Sequence, residues 1–201
     1  MKSLIMILSL CLAIYANPHA NHDINNENIT SQMVLDSMHG SMNGYSMSCN
    51  IDVDFLNDMI PHHQGAIISS GLYLQIAKND KLKDIANNII KTQQDEIEYF
   101  NELSDALSKN QKLDCENPKY QEFQTKNKNI MDKMMIEMSK IQSSTNVDND
   151  FAKSMIEHHK GAIDSAKLIL EYTQNQDIKN IANNIIKTQQ DEIKEMGKLI
   201  K

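Results

Sequence analysis

Leu82, Ile85, Ala86, Ile89, Ile90 and Ile97 recur at the i, i+3, i+4, i+7 spacing of one helical face, continuing through Phe100, Leu103 and Leu107. Phe55, Met59, His62 and Ala66 form a similar stripe on the preceding segment, and the weakly apolar stretch from Ile76 to Lys81 reads as the turn between two helices. Asp52 or Asp54 is positioned to cap the first of them. The same pattern returns later in the chain, with Asp148 or Asp150 as the corresponding cap. Lys119 to Ile141 supplies a further helix carrying Met131, Met134, Met135 and Met138. Pro61, inside the first stripe, lacks the N–H that would bond the carbonyl of Asn57 and is expected to kink or open that helix.

The pattern repeats because the sequence does. Asp54-Phe55 recurs as Asp150-Phe151, His62-His63 as His158-His159, and IANNIIKTQQDEI at 85–97 returns unchanged at 181–193. All matches share an offset of 96 residues without a gap, and 54–97 and 150–193 agree at 27 of 44 positions. Two helical hairpins whose apolar faces need cover predict an all-α, four-helix bundle built from two tandem repeats with an additional Met-rich helix. The expected organisation is a signal peptide at 1–16 and a flexible leader at 17–34. Repeat 1 follows at 35–107, a connector at 108–130 leads into the Met-rich helix, and repeat 2 spans 131–201.

Composition narrows the function. The chain has 201 residues, six Gly and three Pro, which disfavours a loop-rich all-β protein. All 20 basic residues are Lys against 27 acidic ones, for a net charge of −7. An acidic chain without the guanidinium fork is poorly suited to phosphate backbones, so nucleic acid is not an expected partner. Lys2, the short apolar run from Leu4 to Ile14 and Ala16 read as a secretory signal, with Ala20 a second cleavage point; no membrane attachment is expected after cleavage. Outside the cytosol, Cys49 and Cys115 are better read as a disulfide than as a reactive pair.

The candidate chemistry lies in two adjacent histidine pairs. Met59 stands one turn before His62 and His63, as Met155 does before His158 and His159. A thioether beside an imidazole suits a soft ion such as Cu(I), with Cu(II) a second option. Met38, His39 and Met42, with Met47 beyond them, lie in MHGSMNGYSMSC, where Gly and Ser break the helical pattern and no apolar stripe needs filling, so metal binding is the favoured reading there. Their counterparts are Met134, Met135 and Met138 in repeat 2, where core packing competes with a ligand role. His19 and His22 add a weak Cu(II) option. Gln93 and Gln189 fall on the apolar stripes and are candidates to hydrogen-bond an imidazole, with a backbone tie the alternative, whereas Glu96 and Glu192 read as solvated acids. A ferritin-like di-iron oxidase is disfavoured because no Glu-x-x-His precedes any of the four histidines. A phosphotransfer histidine would leave Met59 without a role.

DFxxxMIPHHxGAI, a second MIxHHxxAI, Met-His-x-x-Met upstream and IIxxQxxEI downstream resemble the domain-of-unknown-function 305 family. The resemblance implies a ferritin-like helical bundle and a non-enzymatic copper-binding role in the periplasm, in copper tolerance or handling, with copper ions and other copper-handling proteins as partners. It carries Met38, His39, Met42, Met59, His62 and His63 over as candidate ligands. In repeat 2, Met135 replaces the His and Glu157 replaces the Pro, so the second site is not expected to be identical.

Overall fold

The computed structural model describes residues 28–40, 46–109 and 115–200. The signal segment, Cys11, His19, His22 and Met42 lie outside them. The described residues form six helices: α1 (Ser31–Gly40), α2 (Ile51–Ile76), α3 (Asp80–Ser108), α4 (Pro118–Ser139), α5 (Val147–Tyr172) and α6 (Gln176–Gly197). No strand occurs among the described residues, and no described helix is long and apolar enough to cross a membrane.

α2 and α5 pack on each other at the centre. α3 covers the outside of α2, α6 the outside of α5, and α1 and α4 lie across α2 and α5 respectively. The helix starts are set by asparagine. The side chains of Asn50, Asn79 and Asn175 each accept two orphan N–H groups of the first turn, and those of Asn117 and Asn146 accept one. The expected aspartate caps are therefore corrected. Asp52 lies within the first turn of α2, while Asp54 and Asp150 are buried and face other elements. The helix α2 runs unbroken through Pro61, because the surrounding packing compensates one lost backbone bond.

The Met-bearing segment of repeat 1 is also a correction. It is helical through Met38 and His39, begins at Ser31 inside the 17–34 stretch, and buries Val34, Leu35 and Met38 in the core. The hydrophobic stripe Val34–Leu35–Met38 is only three residues long, which is why the Gly and Ser beyond it masked the helix.

Each cover helix is tied to the other repeat. Ser31 Oγ–H at the start of α1 donates to Asp150 Oδ2 on α5 at 2.6 Å. From α4, Tyr120 O–H and Gln124 Nε2–H donate to Asp54 Oδ2 on α2 at 2.8 and 2.6 Å, and Asn127 Nδ2–H to Asp58 Oδ2 at 2.8 Å. These buried carboxylates also take N–H groups of the incoming loops: Ser46 on Asp58, Ser48 on Asp54 and Ser144 on Asp150. The expected disulfide between Cys49 and Cys115 is present with a Cα–Cα distance of 4.6 Å, joining the start of α2 to the approach to α4.

Candidate metal centre

The paired histidines sit mid-helix on α2 and α5, and all four are fully buried. The 96-residue offset becomes spatial: His62 and His158, equivalent positions, stack with ring centroids 3.7 Å apart and planes at 35°. Their neighbours point outward to the flanks. His63 Nε2–H donates to Glu96 Oε2 on α3 at 2.8 Å, and His159 Nε2–H to Glu192 Oε2 on α6 at 2.8 Å. Successive helical residues diverge by about 100°, so one ring of each pair reaches the centre and the other the flank.

The hydrogen bonds fix which nitrogen is free. A carboxylate only accepts, so Nε2 of His63 and His159 carries the proton, and in the neutral imidazole Nδ1 is left with a lone pair. His62 Nε2–H donates to the backbone carbonyl of His158 at 3.1 Å, and His39 Nδ1–H on α1 donates to the carbonyl of Leu35 at 2.9 Å. Nδ1 of His62, His63 and His159, Nε2 of His39, and both ring nitrogens of His158 are buried without a hydrogen-bond partner among the described residues. Buried polar atoms are normally satisfied, so these six nitrogens, of which a neutral His158 leaves five with lone pairs, form a set of donors short of an acceptor at the centre and its two flanks. Burial holds the His62 and His158 rings well below the ordinary imidazole pKa, with charge on the neighbouring histidines adding to it. Both are therefore neutral and ready to ligate at neutral pH.

The third element at the centre is α1. A Cβ at Gly65 would lie 2.7 Å from the carbonyl oxygen of Met38 and 3.7 Å from His158 Nε2, so the missing side chain lets α1, α2 and α5 meet. Met38 Sδ, fully buried, accepts from Ser154 Oγ–H at 3.5 Å, one turn before His158. Met38, His39, His62 and His158 are thus brought to one three-helix junction. Among the described residues no three His, Cys, Asp or Glu side chains converge to chelate an ion as they stand, so an ion at the junction would need both the Met38 thioether and a turn of at least one imidazole.

The remaining expected donors are distributed differently. Met59 is fully buried in a cluster with Phe55, Leu56 and Phe100. Met155 is fully buried in the other cluster with Met131, Met134 and Met138, and Met135 packs against it half-buried. Met47 is exposed. The surface role expected for Glu96 and Glu192 is corrected: each orients a buried imidazole. Their identical 33-residue spacing from His63 and His159 in both repeats was the available signal. Gln93 and Gln189 are buried, but Oε1 of each lacks a partner and the bonds to the imidazoles expected of them are made by Glu96 and Glu192 instead.

The sequence profile described as Domain of unknown function (DUF305) matches residues 52–200. The chain belongs to the DUF305 family. Three solved structures share this fold over 74% of the chain: CopM in the Cu(I)-bound form (27% identity, 94% of that chain, TM-score 0.55), the Cu(II)-bound form (27%, 95%, 0.56) and an Ag-bound form (26%, 93%, 0.56). The Uncharacterized protein L153 of Acanthamoeba polyphaga mimivirus is 41% identical over 54 residues, 27% of this chain; the match spans 36% of the viral protein.

Proposed function

We propose that this DUF305 protein binds copper, holding Cu(I) at the α1/α2/α5 junction through Met38, His39, His62 and His158, and that it is a non-enzymatic, exported protein of copper sequestration or transfer. The observation that carries this reading is the group of buried, neutral, partnerless imidazole nitrogens beside a buried thioether. Thioether and imidazole donors suit a soft ion. A neutral, buried donor set also favours the lower charge, because the cost of desolvating an ion rises with the square of its charge. The CopM structures with Cu(I), Cu(II) and Ag on the same fold support the assignment to copper.

Within the junction, His62 and His39 are pre-oriented by the bonds their other nitrogens make to backbone carbonyls. His158 makes a hydrogen bond at neither nitrogen, so no bond is lost when its ring turns a lone pair toward the incoming ion. His63 and His159, each oriented by a carboxylate of the flanking helix, are auxiliary donors suited to Cu(II). A phosphate-accepting histidine needs solvent access, and these four have none. A Cu(I) competition titration of the full-length protein against a chromophoric chelator tests the proposal. Binding that weakens at least tenfold in Met38→Leu and in His39→Ala is expected; a well-folded wild type that leaves the chelator fully loaded contradicts it.

A further inference from the structure

The four paired histidines are closed to solvent, so an ion that reaches them must pass between packed elements. The two cover helices close their sides differently. At α1 the contact over Gly65 is made by backbone, the carbonyl of Met38 lying 2.7 Å from the position a Cβ would take. At α4 the nearest atoms over Gly161 all belong to the Met134 side chain, with Sδ closest and Cγ and Cβ 2.8 and 3.1 Å from that position. A backbone lid cannot open without moving its helix, whereas a methionine has three rotatable side-chain bonds and swings.

Outside Met134 lies a groove of about 540 Å³ between α4 and α5, lined by Lys133 and Glu137 on one wall and by Glu157, Lys160 and Asp164 on the other. Met134 and Gly161 also line it, and Gly161 stands one turn beyond His158 on α5. The named charges nearly balance, and Glu157 is paired with Lys160 at 2.7 Å, so the groove offers no strong field. What it offers at its base is Met134, 4% exposed, lying over Gly161 one turn from His158.

The geometry points to the α4/α5 groove as the way in for a soft monovalent cation, with Met134 as its gate and transit donor. The inference rests on the copper reading above. The ion exchanges its solvent or carrier ligands for the Met134 sulfur, the side chain swings, and the ion passes to the imidazoles behind it. No bond is made or broken other than ligand exchange. Among the described residues repeat 1 shows no such gate, because the nearest contact over Gly65 is the α1 backbone.

Stopped-flow transfer of Cu(I) from a chromophoric chelator to the full-length protein tests this, alongside an equilibrium titration of the same samples. Met134→Leu keeps the bulk and removes the sulfur: uptake is expected to slow about tenfold with affinity changed less than twofold. Met135→Leu, the neighbouring thioether outside the groove, leaves both unchanged. Uptake by Met134→Leu at the wild-type rate overturns the gate, as does an affinity loss matching the rate loss, which would make Met134 a resident ligand. A wild type that binds no Cu(I) at equilibrium instead defeats the copper reading itself.

Discussion

The two repeats carry the same histidines and the same Ile-rich helix, yet they are closed by different means. Repeat 1 has a disulfide at its entrance, Pro61 within α2 and a short cover helix pressed backbone-to-backbone over Gly65. Repeat 2 has no cysteine, Glu157 in place of Pro61, and a 22-residue cover helix resting on Gly161 through a methionine side chain. Under the copper reading proposed above, the difference would divide labour within a duplicated unit: the rigid copy would build the donor junction, and the copy closed by a side chain would admit the ion. The centre is correspondingly asymmetric. His62 is tied to a carbonyl while its equivalent, His158, is tied to nothing.

The comparison can be broken by mutation, beginning with the largest effect. Replacing Cys49 and Cys115 by Ser opens a loop with a sequence separation of 66, which in the chain-entropy model costs about 4 kcal/mol. Urea unfolding of the variant is expected to show that loss, and a change below about 1 kcal/mol would mean that the buried carboxylates alone hold repeat 1 closed. Asp54→Ala strips the acceptor from Ser48, Tyr120 and Gln124 and is expected to cost about 3 kcal/mol by the same measurement.

Gly65→Ala and Gly161→Ala separate the two closures more finely. Alanine at 65 meets a backbone carbonyl and is expected to destabilise by about 2 kcal/mol. At 161 it meets the flexible Met134, and the gain in helix propensity of about 1 kcal/mol offsets part of the cost, so thermal unfolding should place it above Gly65→Ala. Equal melting temperatures would erase the distinction between the lids.

The smallest effect is on pH dependence. His62 and His158 have folded pKa values held below the 6.5 of the unfolded chain, so below pH 6.5 the unfolded state binds more protons and stability falls with pH. Each group contributes a slope of up to about 1.4 kcal/mol per pH unit in that window. Asp58 acts in the opposite sense: burial raises its pKa from 3.8 to about 6, so below pH 6 it offsets part of the loss until about 3.8. Chemical denaturation from pH 7.5 to 5 should show a decline that sets in near pH 7, grows to about 1.4 kcal/mol per pH unit by pH 6 and is held near that slope below it by Asp58. A flat profile would mean that the two imidazoles are not buried in the apo protein.

Much of this architecture was legible in the chain. The periodicity of Leu82 to Leu107, the 96-residue offset and the positions of Cys49 and Cys115 are local or duplicated signals, and each reappears as an element or a bond. What stayed hidden depended on partners distant in sequence. Glu96 looks solvated until His63 of α2 is placed against α3. Met38 looks like a loop donor because a single helical turn of Val34 and Leu35 is too short to show a period. The sequence also suggested one site per repeat, since equivalent histidines recur. That His62 meets His158 follows only from the packing of α2 on α5.

The central claim is that one soft-ion centre is shared between the repeats, and adjacent histidines test it most directly. In Cu(I) competition titrations, His158→Ala removes a ring at the junction, whereas His159→Ala removes one held on the flank by Glu192. The account predicts an affinity loss of about a hundredfold or more for His158→Ala and less than about tenfold for His159→Ala. Equal losses, or the reverse order, would contradict a shared centre and return the sites to the individual repeats.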